Sequence, residues 1–320
     1  MTFPIILQQE IEVLSQGLKT TSLSKEFMQL SERYRGERQT KDSLLKTENE
    51  ALAYAAVRMP ATYGAVSEAL AKTLEVTALS PQTMLDVGAG TGACGWAANE
   101  QINLAELVCL EREKVMRHLG QYLMSKAQDD VLQKAQWVDF DLLSGEIPYK
   151  ADLVTASYVV NELADKGIDV VEKLWQATKQ ILLIIEPGTP KDFANLLKIR
   201  GSLLEKGAYV LAPCPHQGKC PLSENDWCHF CARIARSRLH RQLKGADMGY
   251  EDEKYCFMAF SKISPEQSYQ RLIKEPTISK AEVKAEVCTA QGEIERKVIP
   301  IRDKATYKNA KKWRWGNILP

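Results

Sequence analysis

Four cysteines fall within 18 residues of the stretch CPHQGKCPLSENDWCHFC, at Cys214, Cys220, Cys228 and Cys231. Thiols this dense in a chain without an export signal point to a metal. Four sulfurs can saturate zinc or an iron–sulfur cluster and so fix a loop that has no core of its own. The spacing leaves the metal open. Five residues separate Cys214 from Cys220 and seven separate Cys220 from Cys228, which fits neither zinc-ribbon nor ferredoxin intervals. Cys228 and Cys231 form a C-x-x-C pair, and His216 and His229 are further candidates in a zinc reading. The bland alternative is a set of free thiols in a Pro-rich loop. Cys94, Cys109 and Cys256 lie in segments that read as buried helix or strand, where cysteine acts as a small apolar residue.

The second chemical feature is MLDVGAGTGACGWAA, an apolar strand followed by Gly88, Gly90 and Gly92 and then a helix start. Glycine is needed where the backbone turns sharply and a ligand comes close. Asp86 precedes the turn, and Glu111 ends the next apolar run, 25 residues later. An acid so placed accepts hydrogen bonds from the ribose hydroxyls of a bound nucleoside. A nicotinamide site is the alternative, but it favours G-x-G-x-x-G, and the spacing here differs. Asn161 and Glu162, at the end of the fourth candidate strand, are the weak candidates for facing a reacting group; the catalytic residues are otherwise unknown.

The third feature is basic. As a helix, ARIARSRLHRQLKG would line up Arg233, Arg236, Arg241 and Lys244 along one side. The tail adds Lys297, Arg302, Lys304, Lys308, Lys311, Lys312 and Arg314, with Trp313 and Trp315 interleaved. Cations neutralise phosphates and aromatic rings stack on unpaired bases, so both segments are candidate RNA contacts. Solvated helix faces give similar charge runs.

The elements that must position these groups are legible from periodicity. Residues 1–80 read as an N-terminal helical region, rich in Ala, Leu, Glu and Lys at helical spacing. Residues 81–200 alternate apolar runs (TMLDVG, AELVCLE, AQWVDF, ADLVTASYV, ILLIIEPG) with helix-length intervals. That pattern predicts an α/β, Rossmann-like parallel sheet with its ligand site at the carboxyl ends of the strands. Residues 201–320 read as the cysteine-rich module, the remaining sheet strands, including KYCFMAFSKI, and the basic tail.

The bulk numbers set limits. With 45% hydrophobic and 26% charged residues a sizeable core is expected, and a net charge of +1 gives no global pull toward nucleic acid or membrane. The longest aliphatic run, Ile181 to Ile185, is far short of the roughly 20 residues that cross a bilayer. The N-terminus does not read as a signal peptide, so a cytoplasmic protein is expected, with its eight cysteines in a reducing compartment. A monomer is expected when free.

LDVGAGTG resembles the first motif of the class I S-adenosylmethionine-dependent methyltransferases. By that resemblance Glu111 binds the ribose, and WVDFDLL, with Asp139, Phe140 and Asp141, flanks the adenine. The segment SYVVNELAD lacks the Asn/Asp-Pro-Pro-aromatic signature of many amino-methylating members. A closer resemblance covers the chain from about residue 50 onward. AAVRMPATYGAV, the cysteine loop and YEDEKYCFMAF are similar to the methyltransferase-like assembly factors of the mitochondrial small ribosomal subunit and their bacterial relatives. This resemblance implies a [4Fe-4S] cluster on Cys214, Cys220, Cys228 and the distant Cys288, with Cys231 as the alternative fourth ligand and zinc as the alternative metal. It implies binding to small-subunit ribosomal RNA, with a place in ribosome biogenesis and translation. The alternatives are a non-catalytic assembly factor that keeps cofactor and cluster as structural elements, and a zinc-stapled methyltransferase of another substrate.

Overall fold

The computed structural model describes residues 2–35, 45–163, 166–223, 225–266 and 268–319. Three helices open the chain: α1 (Ile5–Leu14), α2 (Thr20–Arg35) and α3 (Glu48–Leu74). α3 starts at a capping box, in which the Thr47 hydroxyl accepts the Glu50 N–H and the Glu50 carboxylate accepts the Thr47 N–H. It does not stand apart. Its apolar residues are buried against the sheet that follows.

That sheet is built from β1 (Thr83–Val87), β2 (Glu106–Leu110), β3 (Gln136–Val138), β4 (Ala151–Ser157), β5 (Thr178–Pro187), β6 (Tyr209–Ala212), β7 (Phe230–Ala235) and β8 (Tyr250–Ser261). The order is β3-β2-β1-β4-β5-β8-β6, with β7 also paired to β8. β1 to β5 are parallel, and β8 runs antiparallel to β5, β6 and β7. Helices α4 (Ala93–Asn99), α5 (Lys114–Ser125), α6 (Asp130–Gln133), α7 (Gly167–Ala177) and α8 (Pro190–Glu205) connect the strands. This is the α/β, Rossmann-like parallel sheet that the alternating pattern predicts, extended by antiparallel strands.

Period-two alternation sorts the strand residues onto two covered faces. Leu183 and Ile185 join α3 and α4 in one core, while Leu182 and Ile184 join α7 and α8 in the other. The order reverses at β1, whose neighbours are β2 and β4, so a crevice opens at its carboxyl end. The glycine turn stands there.

The basic stretch after Cys228 departs from the continuous helix expected. It is β7 to Ala235, and only then α9 (Arg238–Lys244), capped by the Ser237 hydroxyl at the His240 N–H, 3.1 Å. Phe230, Ala232 and Ile234 point inward and pair along β8, so strand periodicity outweighs the helical spacing of the arginines.

The last fifty residues form a second sheet from β9 (Gln270–Leu272), β10 (Thr277–Ile278), β11 (Glu282–Cys288), β12 (Ile294–Pro300) and β13 (Ile318–Leu319), with α10 (Lys304–Ala310) packed on it. Among the described residues no helix is long and apolar enough to cross a membrane.

Candidate cofactor site and cysteine cavity

The glycine turn holds Gly88, Gly90 and Gly92 at positive φ, where a side chain is strained. At Gly92 space adds a second reason. A Cβ there would lie 2.6 Å from Met124 Cε and 3.2 Å from Trp137 Cζ2. Glu111 leaves β2 opposite the turn, and its carboxylate is held on both oxygens: Oε2 accepts the Gly90 N–H and Oε1 the Glu113 N–H, each at 2.7 Å. Burial raises its pKa and these two bonds lower it. Each oxygen keeps lone-pair capacity for a diol.

Asp86 lies beneath the turn rather than on it. It is fully buried, and Oδ1 accepts the Thr155 hydroxyl at 2.8 Å. Burial pushes its pKa up to about 6 against that bond. Asp139 is exposed and ion-paired to Arg117 at 2.9 Å, Phe140 packs partly buried, and Asp141 Oδ1 accepts the Leu143 N–H at 3.0 Å in a tight turn. Asn161 and Glu162 lie in the short 3-10 turn Val160–Glu162 after β4. Glu186 holds that turn, accepting the Val160 N–H at 2.9 Å and the Asn161 N–H at 3.3 Å.

A constellation that the sequence reading missed stands at the same strand ends. Tyr158, at φ 57, donates to Glu253 Oε1 at 3.0 Å, and Arg58 grips both oxygens of Glu253 at 3.0 and 3.3 Å. A non-glycine residue at positive φ is strained and persists only where its surroundings fix it. Tyr54, one turn before Arg58 on α3, has its phenol pushed up to about 12 by burial, with Glu162 and Glu111 adding to the rise. These residues come from three distant segments; Arg58, Tyr158 and Glu253 each fall in a stretch that the sequence singled out for another reason, and nothing in the sequence joins them.

Cys214, Cys220, Cys228 and Cys288 line one cavity, whose exposed lining is almost entirely apolar. Three come from the loop between β6 and β7, and Cys288 ends β11, where it pairs with Arg271 of β9. Cys231 faces elsewhere. It lies opposite Lys254 on β7, beside Asp252 and Arg233. Burial raises the Cys228 thiol well above its ordinary range, and the three other cysteines add to the rise; Cys288 is pushed up to about 12 by burial, Cys214 and Cys220. Such thiols stay protonated unless a metal replaces the proton. Among the described residues no three His, Cys, Asp or Glu side chains are grouped closely enough to hold a metal ion, although four of the cysteines line one cavity. His216 shares the cavity, whereas His229 stacks on Trp227 at 5.0 Å and meets the edge of Trp315 at 4.7 Å.

The cations divide into two groups. Arg233 pairs with Asp252 at 2.7 Å, and Arg236 and Lys244 converge on Glu251. Arg241, Lys311, Lys312 and Arg314 are exposed and, among the described residues, have no carboxylate within 4.0 Å. Trp313 and Trp315 are not free rings as the tail suggested. Trp313 packs under β11 and α10, and Trp315 packs on His229.

Comparison with known proteins decides the family. The family model described as "Mitochondrial small ribosomal subunit Rsm22" matches residues 48–320. The chain belongs to the Rsm22 family. Among curated relatives of this Rsm22 chain, the human mitochondrial ribosome assembly protein METTL17 is 27% identical over 295 residues, 86% of this chain and 63% of its own length. The chain thus spans less than two thirds of that relative. The Rsm22-cox11 tandem protein 2 of Schizosaccharomyces pombe is 22% identical over 216 residues, 52% of this chain and 29% of its own length. Among solved structures, magnesium protoporphyrin IX methyltransferase from Synechocystis, with bound S-adenosylmethionine, is 12% identical, covering 78% of this chain and 99% of that one, at a TM-score of 0.43. The plantazolicin methyltransferase BpumL is 12% identical, covering 80% and 99%, at 0.44.

Proposed function

We propose that this Rsm22-family chain is an S-adenosylmethionine-dependent, methyltransferase-like assembly factor that binds ribosomal RNA of the small subunit and carries a [4Fe-4S] cluster. The observation that carries the reading is the convergence of four cysteines on one cavity. Cys214, Cys220 and Cys228 meet Cys288, which lies sixty residues beyond Cys228, while the nearer Cys231 stands outside. A cluster has volume and suits sulfurs spread over walls, whereas one zinc draws sulfurs to about 2.3 Å from a single centre. The apolar lining and the raised thiols fit a group bound through thiolates.

At the glycine turn, Glu111 is the residue that would hold the ribose, with the Gly90 and Gly92 backbone beside the cofactor; bound there, the cofactor supplies an activated methyl group. For RNA, the uncompensated Lys311, Lys312 and Arg314 after α10 make a better phosphate-facing surface than Arg233, Arg236 and Lys244, which are paired with Asp252 and Glu251; of the cations on α9 that the sequence singled out, Arg241 is the uncompensated one.

A second reading, a factor that transfers no methyl group, is favoured by the turn after β4. Its backbone N–H groups are taken by Glu186 and its Tyr158 hydroxyl by Glu253. The test has two parts. Anaerobic purification should give a brown protein with about four irons per chain; one zinc and no iron would remove the cluster from the proposal. Methyl transfer to 16S RNA or immature subunits, abolished in Glu111→Ala, supports the enzyme, and transfer to none of them supports the second reading.

A further inference from the structure

Two arginines are buried beside the cysteine cavity, and they differ in how their charge is met. Arg271 is 1% exposed and has a carboxylate, Glu75 at 2.8 Å, as well as the carbonyls of Pro213 and Gly316. Arg200 of α8 is 5% exposed and has no carboxylate partner: its Nη2 donates to Gly218 O at 2.6 Å and His216 O at 3.2 Å, and its side chain also reaches Cys214. Its Nε is buried without a partner, and among the described residues no carboxylate lies within 4.0 Å. A lone buried cation is costly, and carbonyl dipoles offset only part of that cost.

The missing negative charge is available in one direction. Arg200 holds the His216 and Gly218 carbonyls, so its guanidinium is fixed against the loop that runs from Cys214 to Cys220. Beside it His216, 5% exposed and lining the cavity, has both ring nitrogens buried without a partner. Gly292, in the β11–β12 hairpin at φ +78, fits against that ring; a Cβ there would lie 3.1 Å from Nδ1. One imidazole in the wall and one cation behind the Cys214–Cys220 loop, both short of partners, thus stand beside a cavity that four thiols help to line. When four thiolates ligate a zinc or iron–sulfur core, they bring more negative charge than the core carries positive, so the bound group is an anion.

We propose that Arg200 is the counter-charge of the cavity's metal group and sets its reduction potential, with the His216 ring as a second donor toward it. This rests on the cluster reading above. Arg200 is a positioning and charge-compensating residue, not a ligand. One-electron reduction adds negative charge to an anionic group, and an adjacent cation makes that addition easier.

The test uses the full chain purified anaerobically, as wild type, Arg200→Gln and Arg200→Lys. Iron and sulfide are quantified on each sample, and the reduction potential is read by spectroelectrochemistry. The expected result is iron retained in all three, with the Arg200→Gln reduction equilibrium shifted toward the oxidised form by about tenfold, about 59 mV for one electron. Arg200→Lys should lie closer to wild type. Loss of iron from Arg200→Gln with retention in Arg200→Lys also supports the proposal, because charge is then what matters. The proposal is overturned if Arg200→Gln keeps its iron at an unchanged potential. It is equally overturned if both variants shift, lose iron or unfold alike, since Arg200 would then serve only to tie the Gly218 and His216 carbonyls. A wild-type chain without iron removes the underlying reading instead, and that is known before any variant is compared.

Discussion

Arg236, one residue past β7, and Glu251, the second residue of β8, lie 2.7 Å apart, both with largely buried side chains. Lys244 reaches the same Glu251 oxygen, and His240 Nε2, 1% exposed, is 3.6 Å from it. One carboxylate therefore ties α9 to the end of β8 through three basic side chains. Removing it leaves the cations uncompensated, so Glu251→Gln should cost about 3 kcal/mol at neutral pH. Its pKa is held far below the ordinary value of 4.5: burial opposes ionisation, and His240, Lys244 and Arg236 overcome it. A depressed carboxylate contributes stability that is fully present above the unfolded value and lost as pH falls below it. Denaturant titrations of wild type should weaken steadily below about pH 4.5, and Glu251→Gln should show a flatter acid limb. Equal acid slopes would refute this account.

Ligand identity at the cavity is tested by single Cys→Ser changes. Cys214, Cys220, Cys228 and Cys288 variants should each lose most bound metal and open the loop around 214–231 to protease, with the parallel sheet intact by circular dichroism. Cys231→Ser should keep its metal. The reverse result for Cys231 and Cys288 would make the C-x-x-C pair the true half of the site.

Glu111 gives the cofactor prediction. Its oxygens hold the Gly90 and Glu113 N–H groups at 2.7 Å. Glu111→Gln keeps the shape but turns one charged acceptor into an amide donor, so S-adenosylmethionine affinity should fall about tenfold to a hundredfold, given about 1.5–3 kcal/mol per bond to a charged group. Isothermal titration reads this directly, and an unchanged affinity would show the cofactor, if bound, to be held elsewhere.

The paired and unpaired cations predict different effects on RNA. Alanine at Lys311, Lys312 and Arg314 together should weaken binding to small-subunit RNA and lower the salt dependence by about one unit per lost phosphate contact. Arg233→Ala should do little, because its guanidinium already answers Asp252. Filter binding across a salt series distinguishes the two, and equal losses from both would return β7 to the interface.

Much of the sheet was readable because buried parallel strands are short, apolar and regularly spaced; Leu182 to Ile185 declare themselves whichever face each takes. The glycine turn and Glu111 were readable for the same reason, since a ligand-binding turn needs residues few other turns need. Cys288 was not. Nothing local marks it, and only the family resemblance joined it to a loop far upstream. β7 was misread because Arg233 and Arg236 mimic a helical face, while the pairing of Phe230, Ala232 and Ile234 with β8 is a long-range fact. The second sheet escaped because β9, β10 and β13 are two or three residues long and exist only through their partners. The Tyr54, Arg58, Tyr158 and Glu253 group likewise exists only once three segments meet.

The placement of Cys288 has a consequence for biosynthesis. Three walls of the cavity are in hand once residue 228 has been made, but the fourth is a strand end held in register by β9 and β12, and β9 is itself paired to β13 near the last described residue. The fourth wall forms only once residues 270–319 have folded into the second sheet. A product that stops before residue 288 has the glycine turn and three of the thiols but not the fourth, so the complete cavity reports that the second sheet has folded.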